Sequence, residues 1–147
     1  MLKKTILFTF ITLLLIQFIP VDKTNPKIDA SLAPKAPQEV MSILKKSCYD
    51  CHSYETKWPY YSNIAPISFV VASHVKDARR AMNFSTWQEM DPKIKKERLK
   101  RAIQTVNNEM MALPSYVYAH KNAKLTKDEK DILINWFRLE LSTLEKD

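Results

Sequence analysis

The chain has 147 residues, of which 46% are hydrophobic, with a formal net charge of +7 and no glycine. That length suits one small domain, and the missing glycine excludes Gly-rich phosphate loops and dinucleotide fingerprints, and with them nucleotide-dependent chemistry. The basic residues are spread widely, and the densest run, Lys93 to Arg101, alternates with apolar residues at helical spacing; a solvated helix face explains it, and nucleic acid is not a candidate partner.

Lys3 and Lys4 precede a charge-free run from Thr5 to Val21, rich in Leu, Ile and Phe, which reads as an export signal or a membrane helix. At about 1.5 Å per residue it reaches about 26 Å, the short end of what crosses a bilayer. A cleavable signal ends in small residues spaced A-x-A, whereas Gln17-Phe18-Ile19-Pro20-Val21-Asp22 follows here, and Ser31-Leu32-Ala33 lies far downstream. The expectation over residues 1–21 is therefore an uncleaved anchor rather than a signal peptide, spanning through residues 5–21, with the bulk of the chain on the periplasmic side of the cytoplasmic membrane. Residues 22–37 carry Pro26, Pro34 and Pro37 among polar residues and read as an extended tether. The functional domain is expected over residues 38–147.

A helix is expected from about Pro37, with Val40, Ile43 and Leu44 forming its apolar stripe. It leads into Cys48-Tyr49-Asp50-Cys51-His52, which holds both cysteines of the chain. C-x-x-C-H is the attachment signature of c-type haem: two thiols at this spacing add to the two vinyl groups of one haem, and the adjacent imidazole coordinates its iron. A thioredoxin-like site needs a strand-helix-strand setting that no β-branched alternating run supplies here. Zinc wants four ligands in paired clusters, and only His74 and His120 stand outside the motif. A plain Cys48–Cys51 disulfide leaves His52 unexplained. Covalent haem is the favoured reading, with zinc and disulfide as the alternatives, and haem would supply much of the core.

The Trp58-Pro59-Tyr60-Tyr61-Ser62 cluster is too polar and proline-broken for a helix. Between Ile67 and Met82 the positions Val70, Val71, His74, Val75 and Ala78 recur at helical spacing. Ser85-Thr86-Trp87-Gln88 has capping-box form for a short turn, and Asp91-Pro92 is an N-cap with an N1 proline before a helix striped by Ile94, Leu99, Ile103, Val106 and Met110. Thr126-Lys127-Asp128-Glu129 opens a last helix whose face carries Ile132, Leu133, Trp136, Phe137, Leu141 and Leu144. The fold class expected is all-α: a small cytochrome c-like domain of about four helices wrapped round one haem, preceded by the N-terminal membrane helix.

Several stretches together carry a resemblance: Ile16 to Asp22, the C-x-x-C-H with Trp58 to Ser62 and Ile64-Ala65-Pro66 behind it, Asn83-Phe84-Ser85, the methionine-containing run before Tyr116 and His120, and Asn135-Trp136-Phe137. The chain resembles the bacterial haem-binding domain family, single-haem c-type proteins of the cell envelope akin to cytochrome c. The resemblance covers about Ile16 to Phe137 and implies haem c and an envelope location, but says little about a physiological reaction. Family members place a Met-Pro pair shortly before the tyrosine, whereas Glu109-Met110-Met111-Ala112-Leu113-Pro114-Ser115-Tyr116 has Ala112 in that proline's place. Counting back from Tyr116 aligns Met111 with the family methionine and leaves Met110 as a competitor.

The candidate site follows. Cys48 and Cys51 are the thioether anchors and His52 the proximal iron ligand. Met111 is the expected ligand on the other face, because Pro114 keeps its segment from being helical and Met110 has a packing role in the stripe; Met110 and His120 are the alternatives. His74 reads as a buried, hydrogen-bonded histidine. Trp58, Tyr60, Arg79 and Arg80 are the nearest donors for haem carboxylates. With both axial positions filled, one covalent haem c makes an electron carrier rather than a catalyst, served by a redox partner protein of the envelope. An open or weakly ligated distal site would instead make a ligand sensor or a small haem peroxidase, and a third possibility is an anchored interaction module with a structural haem.

Overall fold

The computed structural model describes residues 1–145, so the last two residues of the domain expected over 38–147 lie outside the described residues. Among the described residues there are seven α-helices and no strand: α1 Leu2–Leu15, α2 Gln38–Ser47, α3 Tyr49–His52, α4 Ile67–Ala81, α5 Pro92–Asn107, α6 Pro114–Ala119 and α7 Lys127–Leu144.

The all-helical class is as expected from the sequence, but the N-terminal membrane helix is not. No helix among the described residues is long and apolar enough to cross a membrane, and α1, with 14 residues, reaches only about 21 Å at about 1.5 Å per residue. The reason is local. A 3₁₀ turn over Ile16–Phe18 tightens the chain, and Ile19 is extended at φ −79° and ψ 113°, as the residue before Pro20 must be. Gln17 then turns its side chain onto the domain, donating from Nε2 to the Ala65 carbonyl and accepting from the Ala65 N–H, each at 3.0 Å.

The segment read as a tether is laid along the domain. Asn25 Nδ2 donates to the Thr56 carbonyl at 2.9 Å, Lys23 reaches Asn63, and Gln88 Nε2 donates to the Ala33 carbonyl at 3.1 Å. The main clamp is Arg79 on α4. Its guanidinium donates to the Ser53 and Thr24 carbonyls at 2.8 and 2.9 Å and to Asn25 Oδ1 and Thr56 Oγ1 at 2.7 and 3.0 Å, and it lies over the Tyr54 ring at 5.3 Å. Replacing Arg79 with methionine is therefore expected to free residues 17–33 for rapid limited proteolysis and to cost about 1–3 kcal/mol of stability in urea unfolding. Wild-type proteolytic resistance would remove the clamp from the account.

The remaining helices form for reasons visible in their ends and faces. Asp91 caps α5, its Oδ1 accepting from the Lys93 and Ile94 N–H groups at 3.0 and 3.1 Å, and Pro92 takes the first-turn position where no N–H is needed. Thr126 and Glu129 close a full capping box at the start of α7. Asn83, rather than Ser85, caps the 3₁₀ turn Phe84–Glu89. Pro114 begins α6 instead of preventing it, because at N1 its fixed φ fits a helix and its missing N–H costs nothing.

The core lies where α7 crosses α5 and α2. Leu44, Leu99 and Leu133 are fully buried, with Val40, Ile43, Val106, Ile134 and Phe137 around them. A column of rings runs through it: Tyr49 on Phe84, Phe84 on Trp87 and Trp87 on Trp136, with centroids 5.5, 5.6 and 5.5 Å apart. Lys95 is buried beside this column with its ammonium 4.3 Å from the Trp87 ring centroid, so the basic run Lys93 to Arg101 is not wholly a solvated face. Side chains alone close this core. A groove between α3, α4, α5 and α6 lies outside it.

Candidate functional site

The Cys48 to His52 pentapeptide sits at a helix break. Cys48 has φ −125°, but its N–H still reaches the Leu44 carbonyl at 2.8 Å and its own carbonyl accepts from the His52 N–H at 2.8 Å. The pentapeptide thus becomes one further turn set off from α2. Both cysteines are free thiols. Burial, reinforced by Cys51, pushes the Cys48 thiol up to about 12, and burial, then the Asp50 carboxylate, pushes Cys51 up to about 11. Thiols so far from ionisation are poor nucleophiles in disulfide exchange, and the strand setting of a thioredoxin-like site is missing among the described residues.

His52 is oriented from behind. Its Nδ1 lies 2.9 Å from the Met82 carbonyl oxygen, which can only accept, so the proton sits on Nδ1 and the Nε2 lone pair is free. Burial, outweighing that hydrogen bond, holds the imidazole below its ordinary value and therefore neutral. Phe84 meets the ring edge-on at 6.3 Å, linking the site to the aromatic column.

Two cavities meet at this histidine, and a third adjoins one of them. One of about 300 Å³ is bordered by Cys51, His52, His74, Ala81, Met111 and Tyr116. A second of about 110 Å³ is bordered by Cys48, His52, Phe84, Arg98, Arg101 and Met111. The third, of about 360 Å³, continues past Cys51, His74 and Tyr116 to Val70 and Pro59. His52 and Met111 border both of the first two, one cysteine opens onto each, and the walls are mostly apolar.

Met111 arrives there through the end of α5. The Met110 N–H bonds to the Thr105 carbonyl at 2.9 Å and the Glu109 N–H to the Val106 carbonyl at 3.2 Å, the paired bonds of a Schellman motif. Its left-handed position is Glu109 at φ 56°, where a chain with glycine would commonly use it. The turn leaves Met110 exposed and packs Met111 against the core. Met110 therefore does not continue the α5 stripe as expected, because the helix has already reversed.

The other candidates are placed elsewhere. His120 Nε2 is engaged with the Tyr61 hydroxyl at 2.8 Å, and its ring stacks on Tyr116 at 4.4 Å. His74 is exposed, not buried, because its face of α4 looks into the open groove. Arg79 is occupied by the N-terminal strap. Trp58 borders a separate cavity with Asp22 and Arg80, Tyr60 is 80% exposed, and Arg80 pairs with Asp77 at 3.0 Å. These four donors are not brought to His52.

Arg98 and Arg101 are, and reading the run around them as a solvated face passed them over. The available signal was Arg98, Arg101, Ala102 and Thr105, whose i, i+3, i+4, i+7 spacing puts them on one face of α5. A further tie across the groove is Tyr116, whose hydroxyl donates to Asp50 Oδ2 at 2.6 Å, fixing α6 to the middle of the pentapeptide. Burial, then that bond, pushes its phenol well above its ordinary value. Among the described residues no three His, Cys, Asp or Glu side chains converge as a metal cage; the Met111 thioether borders the same two cavities as His52.

Comparison with known proteins gives one match. The model of a family described as a haem-binding domain matches residues 11–139. Neither the curated proteins nor the solved structures contain a match to the chain.

Proposed function

The chain belongs to the haem-binding domain family, and from that premise we propose that it is a single-haem c-type cytochrome that carries one electron at a time. The observation carrying this reading is the pair His52 and Met111, an imidazole with a free Nε2 and a methionine thioether bordering the same two cavities. The donor set fits haem iron. The partly exposed thiols of Cys48 and Cys51 would each add S–H across a vinyl double bond, sulfur to one carbon and hydrogen to the other, with no leaving group. When bound, the group supplies reversible one-electron chemistry at iron. The protein's part is orientation: the Met82 carbonyl fixes the tautomer of His52, the α5 reversal presents Met111, and the walls around them are mostly apolar.

Action in the cell envelope, opposite a redox partner protein, belongs to the same proposal and is supported by the charge-free run after Lys3 and Lys4, whose other reading, an export signal, stands once no helix among the described residues is long and apolar enough to cross a membrane. Cell fractionation checks it, with haem-stained protein in the cytoplasmic fraction as the contrary result.

The test of the axial pair is spectroscopic. The oxidised protein is expected to show the weak near-infrared charge-transfer band of methionine-ligated haem. Met111→Ala should erase it and raise carbon monoxide affinity of the reduced protein on the order of tenfold or more, about 1.4 kcal/mol of lost competition. Met110→Ala should leave both unchanged. A wild type without the band that binds carbon monoxide rapidly would belong with haem ligand sensors or small peroxidases instead.

A further inference from the structure

We propose that Arg98 and Arg101 form the carboxylate-binding end of the haem site, taking a propionate of the cofactor. The proposal rests on the reading of His52 and Met111 as the axial pair. Both arginines border the cavity of about 110 Å³ that also holds Cys48, His52 and Met111, and no acidic side chain borders that cavity. Neither guanidinium has a hydrogen bond or ion pair with another described residue, although Arg98 is half-buried. Two like charges one turn apart on a helix are slightly unfavourable to each other, and an anion beside them would relieve that repulsion.

The cationic groups elsewhere are less suited. Arg79 is held by four hydrogen bonds, two to the N-terminal strap and two to Ser53 and Thr56, and Arg80 is paired with Asp77. Lys57 borders the cavity of about 360 Å³ together with the Asp50 carboxylate, which repels a second carboxylate. A guanidinium fork matches a carboxylate in two parallel hydrogen bonds, and beside apolar walls the attraction is less screened at the half-buried Arg98 than at Arg101, which is exposed. Ala102, between the arginines and Thr105 on the same face, leaves room for the ligand to approach α5.

The consequence is a raised reduction potential, because positive charge beside the haem favours the more negative, reduced state. In the haem-loaded full chain, Arg98→Gln with Arg101→Gln is expected to shift the one-electron equilibrium about tenfold toward the oxidised form, about 59 mV. Arg98→Lys with Arg101→Lys, which keeps the charge, should recover most of the shift. Lys100→Gln, an exposed change on the same helix, should move it far less. If the double variant does not accumulate, each single Arg→Gln variant should give about half the shift on a logarithmic scale. Haem stain on a denaturing gel is read from the same samples, and its absence from the wild type would overturn the cytochrome reading rather than this one. Retained stain with an unchanged potential in the arginine variants, an equal fall with Lys100→Gln, or a fall produced by Lys57→Gln instead would overturn the assignment. An arginine pair that merely faces an acidic protein partner gives the unchanged potential.

Discussion

Alanine in place of both Cys48 and Cys51 is expected to abolish haem stain on a denaturing gel completely while leaving most of the far-UV helicity of the wild type. The first half follows from the free thiols that border the cavities at His52: without sulfur there is no bond that survives denaturation. The second follows from where the core lies. Leu44, Leu99 and Leu133 and the rings of Phe84, Trp87 and Trp136 are buried by one another, whereas Ile67 and Val70 of α4 are 48% and 52% exposed along the groove. Loosening should therefore concentrate in α4 and α6, as faster amide exchange there than in α5 and α7. Stain that persists in the double variant would remove the thioether assignment. Loss of most helicity would show instead that the cofactor is needed to close the core.

Phe84→Ala is expected to be the most damaging single change in the side-chain core, costing about 3–5 kcal/mol in urea unfolding. The ring is 2% exposed and links three others, stacked on Tyr49 and Trp87 and edge-on to His52. Its removal opens a cavity that the fixed ends of α3 and the turn Phe84–Glu89 cannot close. Phe84→Leu, which keeps most of the volume, should cost about 1–3 kcal/mol. Because the same ring supports His52, the alanine variant should also bind carbon monoxide faster than the leucine one. A loss below about 1 kcal/mol for Phe84→Ala would mean that the aromatic column does not hold the core together.

The sequence by itself determined what depends on neighbours in the chain. Asp91-Pro92 and Thr126 with Glu129 start helices through bonds made within one turn, and the apolar spacing of Leu133, Trp136 and Phe137 marks a buried face regardless of what covers it. The Cys48 to His52 motif is equally local, since its three side chains lie within one turn of chain. Tertiary structure decided everything that needed a partner far away in the chain. Arg79 is drawn to Thr24 and Asn25, His120 to Tyr61, and Gln17 to Ala65, and none of these donors carries a sequence mark of its destination. The choice between Met110 and Met111 was hidden for a related reason. Helical periodicity assumes that the helix continues, and a left-handed Glu109 in a chain without glycine gave no warning of the reversal. Arg98 and Arg101 looked like solvated residues because the cavity they border exists only once α3, α5 and α7 have packed together.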